Sequence, residues 1–401
     1  MKFEKAFIPY DGYWSTPFCR WQGNFATLHS MVFAAEIAKR AMAARKISTQ
    51  ILDGVVLGIT IPQKSSFYGA PWMAAMVGAT GITGPIISQA CATSTRCIAT
   101  ASEGIESENN NAILIVTCDR ASNGPHIYYP NPMGIGGMGD KEDWVWDNFS
   151  HDPWAKNAMI ETAENVAQEA GITKKEQDEV TIMRYAQYQE ALKDNRAFQH
   201  RFMVVPIDIK DPSGRKTIAT VEGDEGIFPT TSEGLARLGP VLEGGTVSYG
   251  TQTFPSDGNA GLIVTTREKA KELSLDKNIE IQVLSYAEAR AKKGFMAQAI
   301  VPAAKKALER AGIGMKEIKA IKTHNPFAVN DIYFAREMGV KLEDMNHYGS
   351  SLIYGHPQAP TGARLIIELI EELILLGGGY GLFDGCAAGD TAAALVIKVT
   401  V

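Results

Sequence analysis

The sequence predicts a layered α/β fold built from two related α/β units that flank an inserted loop domain. Three observations carry this expectation. Apolar strand candidates alternate with helix-like segments at both ends of the chain. From 122 to about 157 that alternation gives way to a long stretch rich in Gly, Pro, Asn and aromatic residues, including Trp144, Trp146 and Trp154. The strand, elbow and helix around Cys91 are echoed late in the chain by residues 350–357 and the helix that follows them.

Taken in order, residues 6–10 read as a strand, 28–45 as a helix, 51–60 as a strand and 68–78 as a helix. After Gly84-Pro85 an apolar run opens with Ile86-Ile87 and predicts a buried strand. Residues 92–105, rich in small side chains, predict a helix, and 112–118 a further buried strand. Gly134-Ile135-Gly136-Gly137-Met138-Gly139 has the glycines of a dinucleotide loop, but no strand precedes it and no helix follows, so it is not read as one. Residues 160–199 read as helical with charged faces. A second glycine-rich passage, 244–261, ends in a strand at 261–266. The alternation then resumes with a strand at 279–284, a helix at 296–311, a strand at 318–323, helices at 328–338 and 361–376, and a closing strand pair at 380–383 and 392–399.

Composition narrows the function class. At 401 residues the chain is long enough for two or three domains, and 45% hydrophobic with 21% charged residues is ordinary for a globular protein. A net charge of −6 gives no footprint for nucleic acid, and no apolar run is long enough for a membrane span. The N-terminus shows no signal-peptide pattern. The five cysteines (19, 91, 97, 118, 386) are odd in number and scattered, which argues against a disulfide framework or a zinc site. A reduced, cytoplasmic setting is expected.

Four residues suit one chemistry. Cys91 stands at a strand-to-helix joint, where unpaired N–H groups and the positive end of a helix favour the thiolate. His324 opens His-Asn-Pro-Phe-Ala at a strand end, His356 lies in Gly-His-Pro, and Cys386 in Asp-Gly-Cys-Ala-Ala-Gly-Asp. Alone, Cys91 is as well explained by packing, and each of the other three is better explained by it. Together they meet the needs of acyl transfer: a cysteine that attacks, a histidine that takes its proton, and a second acid–base group for a carbon acid.

On these residues the sequence resembles the thiolase family, over nearly its whole length. Cys91-Ala92-Thr93-Ser94 is a looser form of the family's Cys-x-Ser-Gly. Residues 346–364, with Gly355-His356-Pro357 and Arg364, are similar to its Asn-x-x-Gly-Gly-x-x-x-x-Gly-His-Pro-x-Gly-x-x-Gly-x-Arg. Thr162–Ala167 with Glu176-Gln177-Asp178 resembles the loop-domain helices, and Gly245-Thr246-Val247 through Asp257-Gly258 the Gly-Thr-Val…Asn-Asp-Gly passage.

The resemblance implies a five-layered α-β-α-β-α fold: an N-terminal half of 1–121 plus 247–267, a loop domain at 122–246 that binds CoA and the acyl chain, and a C-terminal half of 268–401. It implies a CoA-dependent thiolase, running Claisen condensation or thiolytic cleavage of 3-ketoacyl-CoA, as in β-oxidation, through an acyl-enzyme. Cys91 would be the nucleophile, His356 its base, and Cys386 the group that moves the α-carbon proton. The peptide N–H groups of Cys91 and Ala388 would form one oxyanion hole, and His356 with His324 a second. Thr253, Phe327 and Met296 would contact substrate or CoA. Coenzyme A enters as substrate, with no bound cofactor or metal. Partners would be acyl-CoA or 3-ketoacyl-CoA, with a homodimer or homotetramer and room for a small accessory subunit.

Departures from the family pattern are visible. Many members have Asn-Glu-Ala-Phe where this chain has His324-Asn325-Pro326-Phe327, which is closer to the His-Asp-x-Phe of sterol-carrier-protein-type and archaeal thiolases. A basic residue used near the CoA nucleotide falls at about Ile227; Arg215, Lys216 or Arg237 are the candidates to replace it. Two other readings share the fold: a ketoacyl- or hydroxymethylglutaryl-type condensing enzyme, which would lack the second cysteine, and a non-catalytic acyl-CoA-binding subunit, which would lack a reactive residue.

Overall fold

The computed structural model describes residues 1–401 and is organised by one mixed sheet of eleven strands. Its main strands are β1 (Phe7–Ile8), β2 (Gly54–Gly58), β3 (Ile86–Ile87), β4 (Ala112–Arg120), β5 (Ser256–Thr265), β6 (Glu280–Arg290), β7 (Ile318–His324), β8 (Gly379–Ala387) and β9 (Thr391–Thr400). They lie in the order β7-β8-β9-β6-β1-β5-β4-β2-β3. Two short strands, Tyr13–Ser15 and Cys19–Arg20, also pair with β5. The two-residue β1 joins the halves, since Phe7 pairs with Thr265 on one side and with Gln282 on the other.

Helices alternate with the two halves of the sheet. α1 (Ser30–Ala44) and α2 (Gly69–Val77) cover the outer face of the N-terminal half. α3 (Thr93–Glu106) and α8 (Ala359–Leu375) pack on each other, and each touches strands of both halves. α6 (Ile300–Ala311) covers the outside of the C-terminal half against β6 and β9, while α7 (Ala328–Met338) packs on α4 (Met159–Ala170) and α5 (Lys174–Ala191). This is the five-layer order expected. Of the two middle helices, α8 is strongly apolar because both its faces are covered: it is buried from Ala359 to Leu373. No helix is long and apolar enough to cross a membrane.

The chain leaves the sheet after Arg120 and returns at Ser256. Between them stand α4 and α5, a hairpin of His126–Tyr129 with Asp140–Asp143, and a second hairpin of Ile207–Lys210 with Thr217–Val221. The Gly134–Gly139 run is the tip of the first hairpin. Gly171, in the left-handed region at φ 63°, ends α4, and a Thr173–Glu176 capping box starts α5, so the helical stretch expected at 160–199 is divided into separate helices.

Three expectations are corrected. The buried strand at Ile86 is a two-residue edge strand with Ile86 43% exposed, because in a single chain only β2 pairs with it. The strand expected from Gly261 begins five residues earlier. Gly258 and Gly261 are needed inside it, since a Cβ there would lie 2.5 Å from the Phe18 ring and 2.4 Å from the Trp14 ring. The late echo of the Cys91 elbow is a single helical turn, Ser351–Tyr354, rather than a strand. The loop after it is held by the His356 N–H donating to Phe254 O.

Arg364, in the block most like the thiolase pattern, is fully buried between α8 and the loop segment. It donates to both Asp224 oxygens at 2.6 and 2.8 Å and to Glu368 at 3.0 Å, and its guanidinium lies 3.8 Å from the Tyr354 ring centroid. Arg364→Ala strands two buried carboxylates and is expected to destabilise the protein by about 3–5 kcal/mol, read as a lower urea midpoint. A midpoint shift too small to resolve would contradict this account of the network.

Candidate active site

Cys91 sits between β3 and α3 in a tight turn. Ala92 N–H donates to Gln89 O at 3.0 Å and Thr93 N–H to Ala90 O at 3.1 Å, with Ala90 forced to φ 44°. Those two N–H groups are therefore spent in the turn instead of facing the sulfur. The donors that do favour the thiolate are the peptide N–H groups of Ala388 and Cys91 itself. Burial outweighs them and pushes the thiol pKa up to about 12. The donors that favour the thiolate are thus opposed by burial, which favours the thiol.

His356 Nε2 lies 3.1 Å from Cys91 Sγ, and its Nδ1 is 2.7 Å from Thr361 Oγ1. With Nδ1 protonated toward Thr361, Nε2 presents its lone pair to the thiol. Burial brings the His356 pKa down to about 3, so the pair is neutral at rest. Gly355, at φ 91°, lets the chain pass where a Cβ would meet Phe254 and Ser256 at 2.8 Å.

His324 ends β7, its ring 4.1 Å from that of His356, centroid to centroid. Its Nδ1 is 2.8 Å from Ser351 Oγ, while its buried Nε2 has no protein partner. Behind it, Asn325 bonds Ser350, Ser351 and Asp331, and Asp331 pairs with buried Arg184 at 2.8 Å. The asparagine of the His-Asn-Pro-Phe variant thus fastens the loop carrying Ser351. Burial and neighbouring His356 hold the His324 pKa well below the usual range.

Cys386, on β8, accepts from Asn330 Nδ2 at 3.1 Å. Its pKa is raised well above the ordinary thiol value by burial first and then by Cys91. Cys91 Sγ, His324 and His356 place one ligand atom each within 4.8 Å of one another, close enough for a divalent ion to bridge them.

A pocket of about 930 Å3 opens onto this group. Cys91, His356 and Ala388 form its floor. Thr253, Phe327 and Met296 line it, as do Trp144, Trp146 and Trp154 from the aromatic stretch. Thr253 Oγ1 donates to Ser351 O at 2.5 Å. His324 and Cys386 lie deeper, out of the lining. Arg215, Lys216 and Arg237 are exposed, and none lines the pocket.

Two residues of the site escaped the sequence reading. Gln358 Oε1 is 3.4 Å from Cys91 Sγ, placed to accept a hydrogen bond from the thiol; its backbone is held at φ 65°. Asn330 is the partner of Cys386. Each stands a few residues beyond a histidine motif, a proximity that was the only available signal.

Two α/β halves sharing a middle helix layer, with the cysteine–histidine pair at their junction, define a thiolase-type architecture. The models described as "Thiolase, N-terminal domain" and "Thiolase, C-terminal domain" match residues 13–268 and 277–399, and the chain belongs to the thiolase family. It is similar to an acetyl-CoA acetyltransferase of Syntrophomonas wolfei, 27% identical over 393 residues and 96% of each chain. The human mitochondrial 3-ketoacyl-CoA thiolase is 25% identical over 391 residues, again 96% of each. Among solved structures, the Bacillus anthracis acetyl-CoA acetyltransferase superposes with a TM-score of 0.89 at 26% identity, covering 99% of both chains.

Proposed function

We propose that the protein is a CoA-dependent thiolase that makes or cleaves 3-ketoacyl-CoA through an acyl group on Cys91. The observation that carries this reading is the 3.1 Å contact between Cys91 Sγ and His356 Nε2, with Cys386 beside it, in a chain of the thiolase family. In the cleavage direction, Cys91 Sγ attacks the C3 carbonyl and His356 Nε2 takes the thiol proton. The Sγ–C3 bond forms, the C2–C3 bond breaks, and C2 takes its proton from Cys386. The CoA sulfur then attacks the acyl carbon and displaces Cys91. The CoA proton passes to Cys386, and the proton on His356 returns to Cys91.

Charge develops on two oxygens. The N–H groups of Cys91 and Ala388, which already favour negative charge on the sulfur, suit the oxygen on the acyl carbon. His324 Nε2, unpartnered in the protein, suits the enolate oxygen when Ser351 donates to Nδ1. Cys386 favours this reading over a ketoacyl- or hydroxymethylglutaryl-type condensing enzyme. The experiment is thiolysis of 3-ketoacyl-CoAs by the purified protein with CoA, followed as loss of 3-ketoacyl absorbance. A folded protein inert toward every chain length contradicts the proposal.

The neutral Cys91–His356 pair fixes a pH dependence. The histidine's pKa is lowered to about 3, so it stays a base as pH falls through the usual imidazole range; the cysteine's is raised to about 12, so it stays a thiol as pH rises. Acylation by acetyl-CoA is therefore expected to be flat between about pH 5 and 9, measured by rapid quench. An inflection near pH 6.5 would contradict it. The His356 contribution to stability does vary with pH: it is full above the ordinary imidazole pKa and falls as pH drops from there toward about 3. There the unfolded chain binds a proton that buried His356 refuses.

A further inference from the structure

The pocket over Cys91 has room for an acyl group beside the arm of CoA, and the part of its wall formed by Trp144 and Phe149 is aromatic and fixed. Its volume of about 930 Å3 lies at the upper end of the ~300–1,000 Å3 usual for small-molecule sites. Trp144 is anchored by its indole Nε1–H, which donates to Thr60 O at 2.9 Å. Thr60 lies just beyond β2, the strand that pairs with β3 and so leads into Cys91. Val145 is buried against Ile61 and Ala121, with Trp21, Trp144 and Phe149 packed around them. Trp144 and Phe149 thus belong to a small satellite core and also line the pocket; packing makes the wall rigid without removing it from the site.

The lining is also poor in charge. No lysine or arginine is part of it, and its one carboxylate, Asp152, accepts from the N–H groups of Trp154 and Ala155 at 2.7 and 2.8 Å. A charged group on the acyl chain would be buried there without a counter-ion, at a heavy desolvation cost. Broad ring faces instead offer offset or edge contacts to another ring, which a short acyl group does not use.

Resting on the thiolase reading of this same site, we infer that the acyl group carried by Cys91 is uncharged and bears an aromatic ring. Trp144 and Phe149 are the residues that select it.

Two measurements test this. The first is kcat/KM for thiolysis of acetoacetyl-CoA, 3-ketooctanoyl-CoA, 3-oxo-3-phenylpropanoyl-CoA and the carboxylated 3-ketoadipyl-CoA. The phenyl substrate is expected to lead acetoacetyl-CoA by about tenfold or more, with the carboxylated one weakest. In Trp144→Phe and Phe149→Ala, checked for folding by their melting temperatures, the phenyl-to-acetoacetyl ratio falls. A wild-type preference for acetoacetyl-CoA, or a ratio that neither variant moves, overturns the inference. The second is equilibrium binding of benzoyl-CoA and acetyl-CoA to Cys91→Ala protein, which reads the pocket without chemistry. Benzoyl-CoA is expected to bind about tenfold tighter or more; equal affinities overturn the inference. A benzoyl preference in the Cys91→Ala protein, together with a wild-type protein that turns over none of the four substrates, overturns the thiolase reading alone.

Discussion

Cys91→Ala is expected to lower thiolysis by roughly 10^4-fold or more, to the limit of detection, while the protein stays folded. The size follows from what is removed. The reaction as proposed passes through a covalent bond to Sγ, and no other nucleophile lines the floor of the pocket with a base in reach. Cys97 and Cys118 are fully buried in the helix layer and sheet, and burial pushes their thiols further from ionisation. The substitution trims a small side chain beside a cavity, so its effect on the melting temperature is expected to be slight. Residual activity within about tenfold of wild type would show that the acyl group travels by another route.

The second large effect separates the two cysteines. Cys386→Ser is expected to slow carbon–carbon bond making and breaking by about 10^2–10^4-fold, the usual range for a positioned proton donor. Acylation of Cys91 by acetyl-CoA should survive in large part, because the pair with His356 at 3.1 Å is untouched. A serine hydroxyl keeps a donor beside Asn330 but is a far weaker acid than a thiol, so geometry is retained while proton transfer is lost. Rapid-quench acylation and steady-state thiolysis on the same preparation distinguish the steps. Equal loss in both would remove the division of labour.

Much of the architecture was legible because burial on two faces leaves a plain mark. β4, β9 and α8 read as apolar runs in the sequence and are buried almost throughout. Cys91, His324, His356 and Cys386 were legible as small-residue and Gly-His-Pro settings at strand ends. What was not legible depends on contacts between distant parts of the chain. Gln358 reaches Cys91 across 267 positions, and nothing in its neighbours announces a left-handed backbone. The glycines inside β5 are explained only by the Phe18 and Trp14 rings laid across them. The balance of forces on the Cys91 thiol was only partly legible for a related reason. A helix start is local and visible in sequence, whereas the turn that uses up its first N–H groups, the Ala388 N–H that reaches the sulfur and the desolvation that opposes it all come from the folded chain.

The most direct test of the central claim is the intact mass of the wild-type protein, mixed with a 3-ketoacyl-CoA it cleaves and quenched in acid before CoA is added. The account predicts a gain equal to one acyl group, mapped to the peptide containing Cys91 and lost within one turnover when CoA follows. Turnover of the substrate with no acyl mass at any time, or an acyl group mapped to another residue and released at the catalytic rate, would contradict it.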